Sequence, residues 1–190
     1  IDMTESMCSH AERAAKKAGV QVNFFAMDAE NPAFPAESFD VIVSRNLTWN
    51  LPHLGETYMA WHRILKLGGM LVNFDGDYCH ERPMEELVSN HAHKSIGKKL
   101  QQDYEHFKAA LAAGQGLRPA WDMVLLRQAG FEKISVDSAL SKRIYPQIDE
   151  FYNPTPMFTI QSYKPALPQV AAGIYFPSAT WAIPTPVYQP

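Results

Sequence analysis

Two carboxylates in this chain each follow apolar residues, Ile1 in one case and a run over 22–27 in the other, and open a turn. Asp2 stands between Ile1 and Met3-Thr4, and Asp28 follows Val22-Asn23-Phe24-Phe25-Ala26-Met27. A carboxylate at the carboxyl end of a strand can take two hydroxyl donors at once, which is how nucleotide-binding α/β folds hold a sugar diol. Each residue also has a plain reading: Asp2 can help cap the helix that starts at Thr4, and Asp28 can be the turn residue that starts a proline-containing loop. A third polar group, Asp75-Gly76-Asp77-Tyr78-Cys79-His80-Glu81-Arg82-Pro83, follows another apolar run. There Asp75, Tyr78 and His80 could position a substrate or remove a proton from it, since a histidine near its ordinary pKa is the usual base at neutral pH. The plain alternative is a connecting loop.

The elements that must position these groups centre on residues 38–75. Phe39-Asp40-Val41-Ile42-Val43-Ser44-Arg45 and Met70-Leu71-Val72-Asn73-Phe74-Asp75 are apolar runs without alternation, the pattern of strands buried on both faces of a parallel sheet. Between them, Leu54 to Lys66 places Leu54, Tyr58, Trp61 and Leu65 at helical spacing, with His62 expected in solvent. Leu67-Gly68-Gly69 stops the helix and supplies a positive-φ turn. Strand, crossover helix and strand then make a right-handed parallel unit.

These segments resemble class I S-adenosylmethionine (SAM) dependent methyltransferases. The resemblance rests on 39–45, on Ile64-Leu-Lys-Leu-Gly-Gly-Met-Leu71, where the family usually has Leu-Lys-Pro-Gly-Gly, and on Asp28-Ala-Glu-Asn-Pro-Ala-Phe-Pro35, beside the family's Asp-Ala-Glu-x-Leu-Pro-Phe. Leu125 to Phe131 matches a helix–strand junction late in the family fold. The resemblance covers about residues 1–165. It implies a Rossmann-like, doubly wound, mostly parallel α/β sheet with an antiparallel last strand. It also implies a first strand and a glycine-rich loop that do not occur in the sequence given, so the chain is expected to be part of a longer protein.

By this resemblance SAM is the cofactor and the activity is methyl transfer to a small molecule. Asp2 would accept from the ribose hydroxyls and Met3 would lie on adenine. Asp28 would accept from the adenine amino group while the Ala29 amide donates to a ring nitrogen. Asn46 and Leu47, at the end of the 39–45 strand, would meet the methionine end. Ser44-Arg45-Asn46-Leu47 is not the tetrapeptide with which amino-methylating nucleic-acid enzymes hold a flipped base. The alternatives are a non-catalytic binding or scaffold protein on a degenerate methyltransferase fold, and a nicotinamide-dependent dehydrogenase, which shares the Asp2 position but leaves the Asp28 loop unexplained.

The remaining chain reads as a helix from Thr4 to Ala18 with Gly19 as its stop, and a strand over Val22–Met27. A helical segment from Pro83 to about Ala113 follows the polar loop, and within 83–118 the resemblance implies a lid over the substrate. Then come a helix from Pro119 to Ala129, a strand over Phe131–Val136 and a last strand within 156–165. From Pro165 onward there are six prolines in 26 residues, with Tyr175, Phe176, Trp181 and Tyr188. That extension, 166–190, is expected to pack across the domain or against a second subunit, as a homodimer would.

Composition agrees with one ordinary domain. The 190 residues are 46% apolar and 19% charged, enough for a real core. A net charge of −3 argues against a nucleic-acid footprint. Cys8 and Cys79 form no disulfide framework or zinc spacing, which suits a reducing cytoplasm. His91 and His93 are two apart and make no metal pair on a helix. No apolar run approaches the roughly 18 residues of a membrane span.

Overall fold

The structure, a computed structural model, describes residues 1–80, 97–112, 115–149 and 152–166. Helix α1 spans Glu5–Ala18. Gly19, at φ +68°, turns the chain so that its own amide bonds to the Lys16 carbonyl and the Val20 amide to that of Ala15, closing the helix in the left-handed manner that glycine allows. The chain then runs back beside residues 1–3. The Asp2 amide donates to the Phe25 carbonyl, and the Met27 amide donates to the Asp2 carbonyl at 2.8 Å. This is a single parallel bridge, Asp2 to Ala26. The strand expected over Val22–Met27 is thus reduced to one bridge.

Among the described residues the main sheet has four strands: β1 (Phe39–Arg45), β2 (Leu65–Gly76), β3 (Glu132–Asp137) and β4 (Met157–Tyr163). Their order is β1-β2-β4-β3. β1 and β2 are parallel, with Val41 opposite Met70 and Arg45 opposite Phe74. β4 runs antiparallel to both β2 and β3, so three strands point one way and the last strand points back, as expected.

Helix α2 (Leu54–Ile64) crosses from β1 to β2. Its expected stripe is real: Leu54, Tyr58 and Trp61 are buried and join Leu71, Leu126, Phe131, Phe158 and Ile160 in one core. The helix stops two residues early, however, and Leu65 already belongs to β2. Between the pairs Phe39–Leu65 and Val41–Met70, β2 advances five residues while β1 advances two. The surplus is taken up at Lys66 to Gly69, where Gly68 has φ +75°.

Helix α3 covers Lys98–Ala112, α4 Ala120–Gln128 and α5 Leu140–Ile144. α4 packs on α2 and on β3, and α5 on β4. The helical expectation at 83–96 and the extension beyond Ala166 lie outside the described residues.

Two expectations are corrected. β1 is not buried on both faces: Val41 is 46% and Val43 65% exposed, because β1 is the edge of the described sheet. β2, with Leu71, Val72, Asn73, Asp75 and Gly76 all buried, is the strand that matches the unbroken apolar pattern. His62 is not solvated either. It is half-buried, its ring meets Phe131 edge-on at 5.1 Å, and its Nε2 is buried without a hydrogen-bond partner.

Candidate functional site

The carboxyl ends of the strands gather most of the polar groups singled out above. Asp2 is exposed, and its Oδ1 accepts from the Thr4 amide at 2.9 Å and the Thr4 hydroxyl at 2.6 Å. Those two bonds hold its pKa below the usual carboxylate value. The helix-cap reading is thus observed, and the second oxygen of Asp2 has no hydrogen-bond partner among the described residues. Asp28 behaves alike: exposed, Oδ1 accepting from the Glu30 amide at 2.9 Å, its other oxygen unpartnered among the described residues. The Asp2–Ala26 bridge places these two tips on neighbouring parallel segments. Met3 is 72% exposed.

The loop after Asp28 is anchored from α2. The Trp61 indole donates to the Ala29 carbonyl at 2.8 Å, and Arg63 donates to the Phe34 and Pro32 carbonyls. Glu30 accepts from the His53 amide at 2.8 Å. Ala29 itself packs against the core. These bonds fix the 29–34 loop to the crossover helix, so Asp28 stands at the foot of a rigid loop.

At the end of β1, Asn46 adopts φ +49°, a conformation asparagine tolerates better than most residues. It is exposed, Leu47 is half-buried against the core, and the Asn46 side-chain oxygen accepts from the Tyr78 hydroxyl at 3.3 Å. Asn153 donates to the same hydroxyl at 3.0 Å, so Tyr78, 8% exposed, is pinned between the ends of β1 and the start of β4. A short 3-10 turn, Thr48–Asn50, carries Trp49. Its ring meets Tyr78 at 5.4 Å and, from α3, Tyr104 at 6.1 Å and Phe107 at 6.2 Å, all edge-on. Tyr104 and Phe107 stay 41% and 45% exposed.

Asp75 has no such exposure. It is fully buried; Oδ2 takes the Thr48 hydroxyl at 2.5 Å and the Trp49 amide at 3.0 Å, while Oδ1 takes the Gly76 amide at 2.8 Å. The Arg118 guanidinium lies 3.2 Å away. Burial pushes the Asp75 carboxyl up, against the pull of Arg118. So enclosed a carboxylate joins the end of β2 to the 48–49 turn that follows β1.

Arg118 was not singled out in the sequence. Its side chain is 1% exposed. It forks onto both oxygens of Asp122 at 2.6 and 2.9 Å and donates to the Thr48 hydroxyl at 2.6 Å. The Tyr58 hydroxyl completes Asp122 at 2.7 Å. The spacing of Arg118 and Asp122, four apart at the start of α4, was the one available signal.

Among the described residues no group of histidines, cysteines and carboxylates could hold a metal ion, and no helix is long and apolar enough to cross a membrane. A cavity of about 550 Å³ lies between α1 and residues 20–24, sharing none of the residues above.

A methyltransferase-domain family model matches residues 1–73. The chain is 25% identical over 142 residues to the ubiquinone/menaquinone biosynthesis C-methyltransferase UbiE of Bartonella tribocorum, covering 71% of this chain and 54% of that protein. It therefore spans about half the length of that curated relative. A SAM-dependent methyltransferase from Aquifex aeolicus superposes with a TM-score of 0.52 at 14% identity, over 86% of this chain and 66% of that one. The [4+2]-cyclase SpnF superposes with a TM-score of 0.54 at 15% identity, over 86% of this chain and 64% of that one. At such identities structure speaks for the fold alone, and the cyclase is a reminder that activity is decided by the site. Residues 1–73 thus match a methyltransferase domain, and the described sheet shares its mixed α/β fold with solved SAM-dependent methyltransferases.

Proposed function

We propose that this chain binds SAM along the edge formed by Asp2, Asp28 and Asn46 and that the enzyme containing it methylates a small-molecule acceptor. The observation that carries the reading is the Asp2–Ala26 bridge, which sets two exposed carboxylates side by side, each with an oxygen to offer. Asp2 would take the ribose hydroxyls and Asp28 the adenine amino group, with the Ala29 amide donating to a ring nitrogen and the exposed Met3 covering one adenine face. Asn46 and Leu47 would meet the methionine end. When bound, the sulfonium supplies an electrophilic methyl group, and the protein's main task is to align an acceptor with it.

The aromatic wall of Trp49, Tyr104 and Phe107 supports a flat, partly apolar acceptor, since ring edges and faces pair with one another. The quinone-biosynthetic name of the Bartonella relative agrees with a ring-shaped acceptor. α3 would act as a cover on that side. Cys8 and Cys79 are not joined in a disulfide, which supports a reducing, cytoplasmic setting.

Transfer of a labelled methyl group to a panel of phenols, amines and thiols tests this reading. Aromatic acceptors should be preferred, and Phe107→Ala should raise KM for them about 2- to 12-fold, the equivalent of about 0.5–1.5 kcal/mol for one lost aromatic pair. A preference for aliphatic acceptors, or an unmoved KM, would remove α3 from the acceptor site.

A further inference from the structure

Three side chains at the end of β2 and in the loop that follows it differ in what they have left to offer. Asp75 is saturated and buried, and the Tyr78 hydroxyl is held by Asn46 and Asn153. His80 is different. Its Nδ1 lies 2.8 Å from Asp77 Oδ1, and its Nε2 has no hydrogen-bond partner among the described residues. The pair is about a quarter exposed, 26% for His80 and 22% for Asp77. The second oxygen of Asp77 accepts the Arg118 amide at 3.2 Å, which ties the dyad to the rigid start of α4.

An ionised carboxylate only accepts, so a hydrogen bond between Nδ1 and Asp77 requires the proton on Nδ1. Nε2 is then the basic nitrogen. A histidine whose one nitrogen is held by a carboxylate, leaving the other open, is the arrangement of a general base with its orienting partner.

We propose that His80 is the general base for the methyl acceptor and that Asp77 is its positioning residue, which commits the acceptor to a class with a proton to lose, a phenol or comparably acidic hydroxyl. The proposal rests on the methyl-transfer reading. In the step, the acceptor O–H bond breaks, its proton goes to His80 Nε2 and its electron pair forms the new bond from oxygen to the methyl carbon. The carbon–sulfur bond of the donor breaks with its pair on sulfur, giving a neutral thioether. The positive charge of the sulfonium is replaced by that of the imidazolium, which Asp77 steadies before the proton passes to water. Among the described residues the charged group bonded to the ring is Asp77 on its own loop; Asp77 in turn meets the backbone of Arg118, whose guanidinium is engaged by Asp75 and Asp122.

Nitrogen NMR of the histidine-labelled full chain, together with kinetics of its variants, tests this. The wild-type His80 ring should carry its proton on Nδ1, and Asp77→Asn should weaken that preference. His80→Gln should lower kcat for a phenolic acceptor at pH 7 by at least about 100-fold, the usual scale of general-base catalysis, and abolish the acid limb of its pH profile while leaving affinity for S-adenosylhomocysteine unchanged. A wild-type Nε2–H tautomer, or His80→Gln with kcat within twofold and the limb in place, would overturn the dyad even where the cofactor binds. Failure of the wild-type enzyme that contains this chain to bind S-adenosylhomocysteine would instead overturn the methyl-transfer reading, and the base role with it.

Discussion

Arg118 joins three elements with one guanidinium: Asp75 at the end of β2, Asp122 on α4 and, through Asp122, Tyr58 on α2. Removing one member of a buried ionic group leaves the others unpaired in a poorly polar interior. Arg118→Met should therefore lower unfolding free energy by about 3–5 kcal/mol in a urea titration. Tyr58→Phe, which takes away one hydrogen bond to an acid still held by Arg118, should cost only about 1 kcal/mol. Equal losses would mean the guanidinium does not carry the cluster. At this scale the sequence was informative where chemistry follows apolar residues: Asp28 and the loop from Asp75 follow apolar runs, and Asp2 follows Ile1. It was silent on Arg118, whose link to Asp75 depends on how β2 and α4 meet, and it did not separate Asp75 from His80, which only burial distinguishes.

Among the elements, the turn between α2 and β2 decides the register of the central strand. A Cβ on Gly69 would stand 2.8 Å from the Lys66 carbonyl oxygen and 3.1 Å from that of Asp40, both backbone atoms that cannot swing aside. Gly69→Ala should destabilise the domain by about 1–3 kcal/mol. At Gly68 an added Cβ has room, its nearest neighbour being Ala166 at 3.9 Å, so Gly68→Ala should lose only the roughly 1 kcal/mol of a left-handed alanine. Thermal unfolding of both variants gives the order, and a costlier Gly68→Ala would show that φ matters more than the close approach. The α2 stripe and the β2 run were legible because both are periodic and buried. β1, with Val41, Ile42 and Val43, is as apolar as β2, yet composition does not tell a central strand from an edge.

For the molecule as a whole, stability against pH has a named contributor in His62. Burial, and then the charge of Lys164, depress its pKa below 6.5. The unfolded chain therefore binds the proton more readily, so stability should rise with pH through the window from the folded pKa up to about 6.5 and level off above it. The increment should shrink in His62→Gln, read as melting temperature between pH 5 and pH 7; an unchanged slope would assign the dependence to other groups. Order along the chain was the strongest global signal in the sequence: a Asp28 loop, a strand, a crossover helix and a diglycine turn in succession imply one sheet topology.

Asp2 and Asp28 acting together on an adenosine is the idea to test first. Titration calorimetry of S-adenosylhomocysteine into the wild-type protein and into Asp28→Ala measures it directly, since Asp28 is exposed and its loss should spare the fold. The account predicts saturable binding that weakens roughly 5- to 150-fold in the variant, about 1–3 kcal/mol for a polar group left unpaired. Binding of equal strength in both proteins would contradict it.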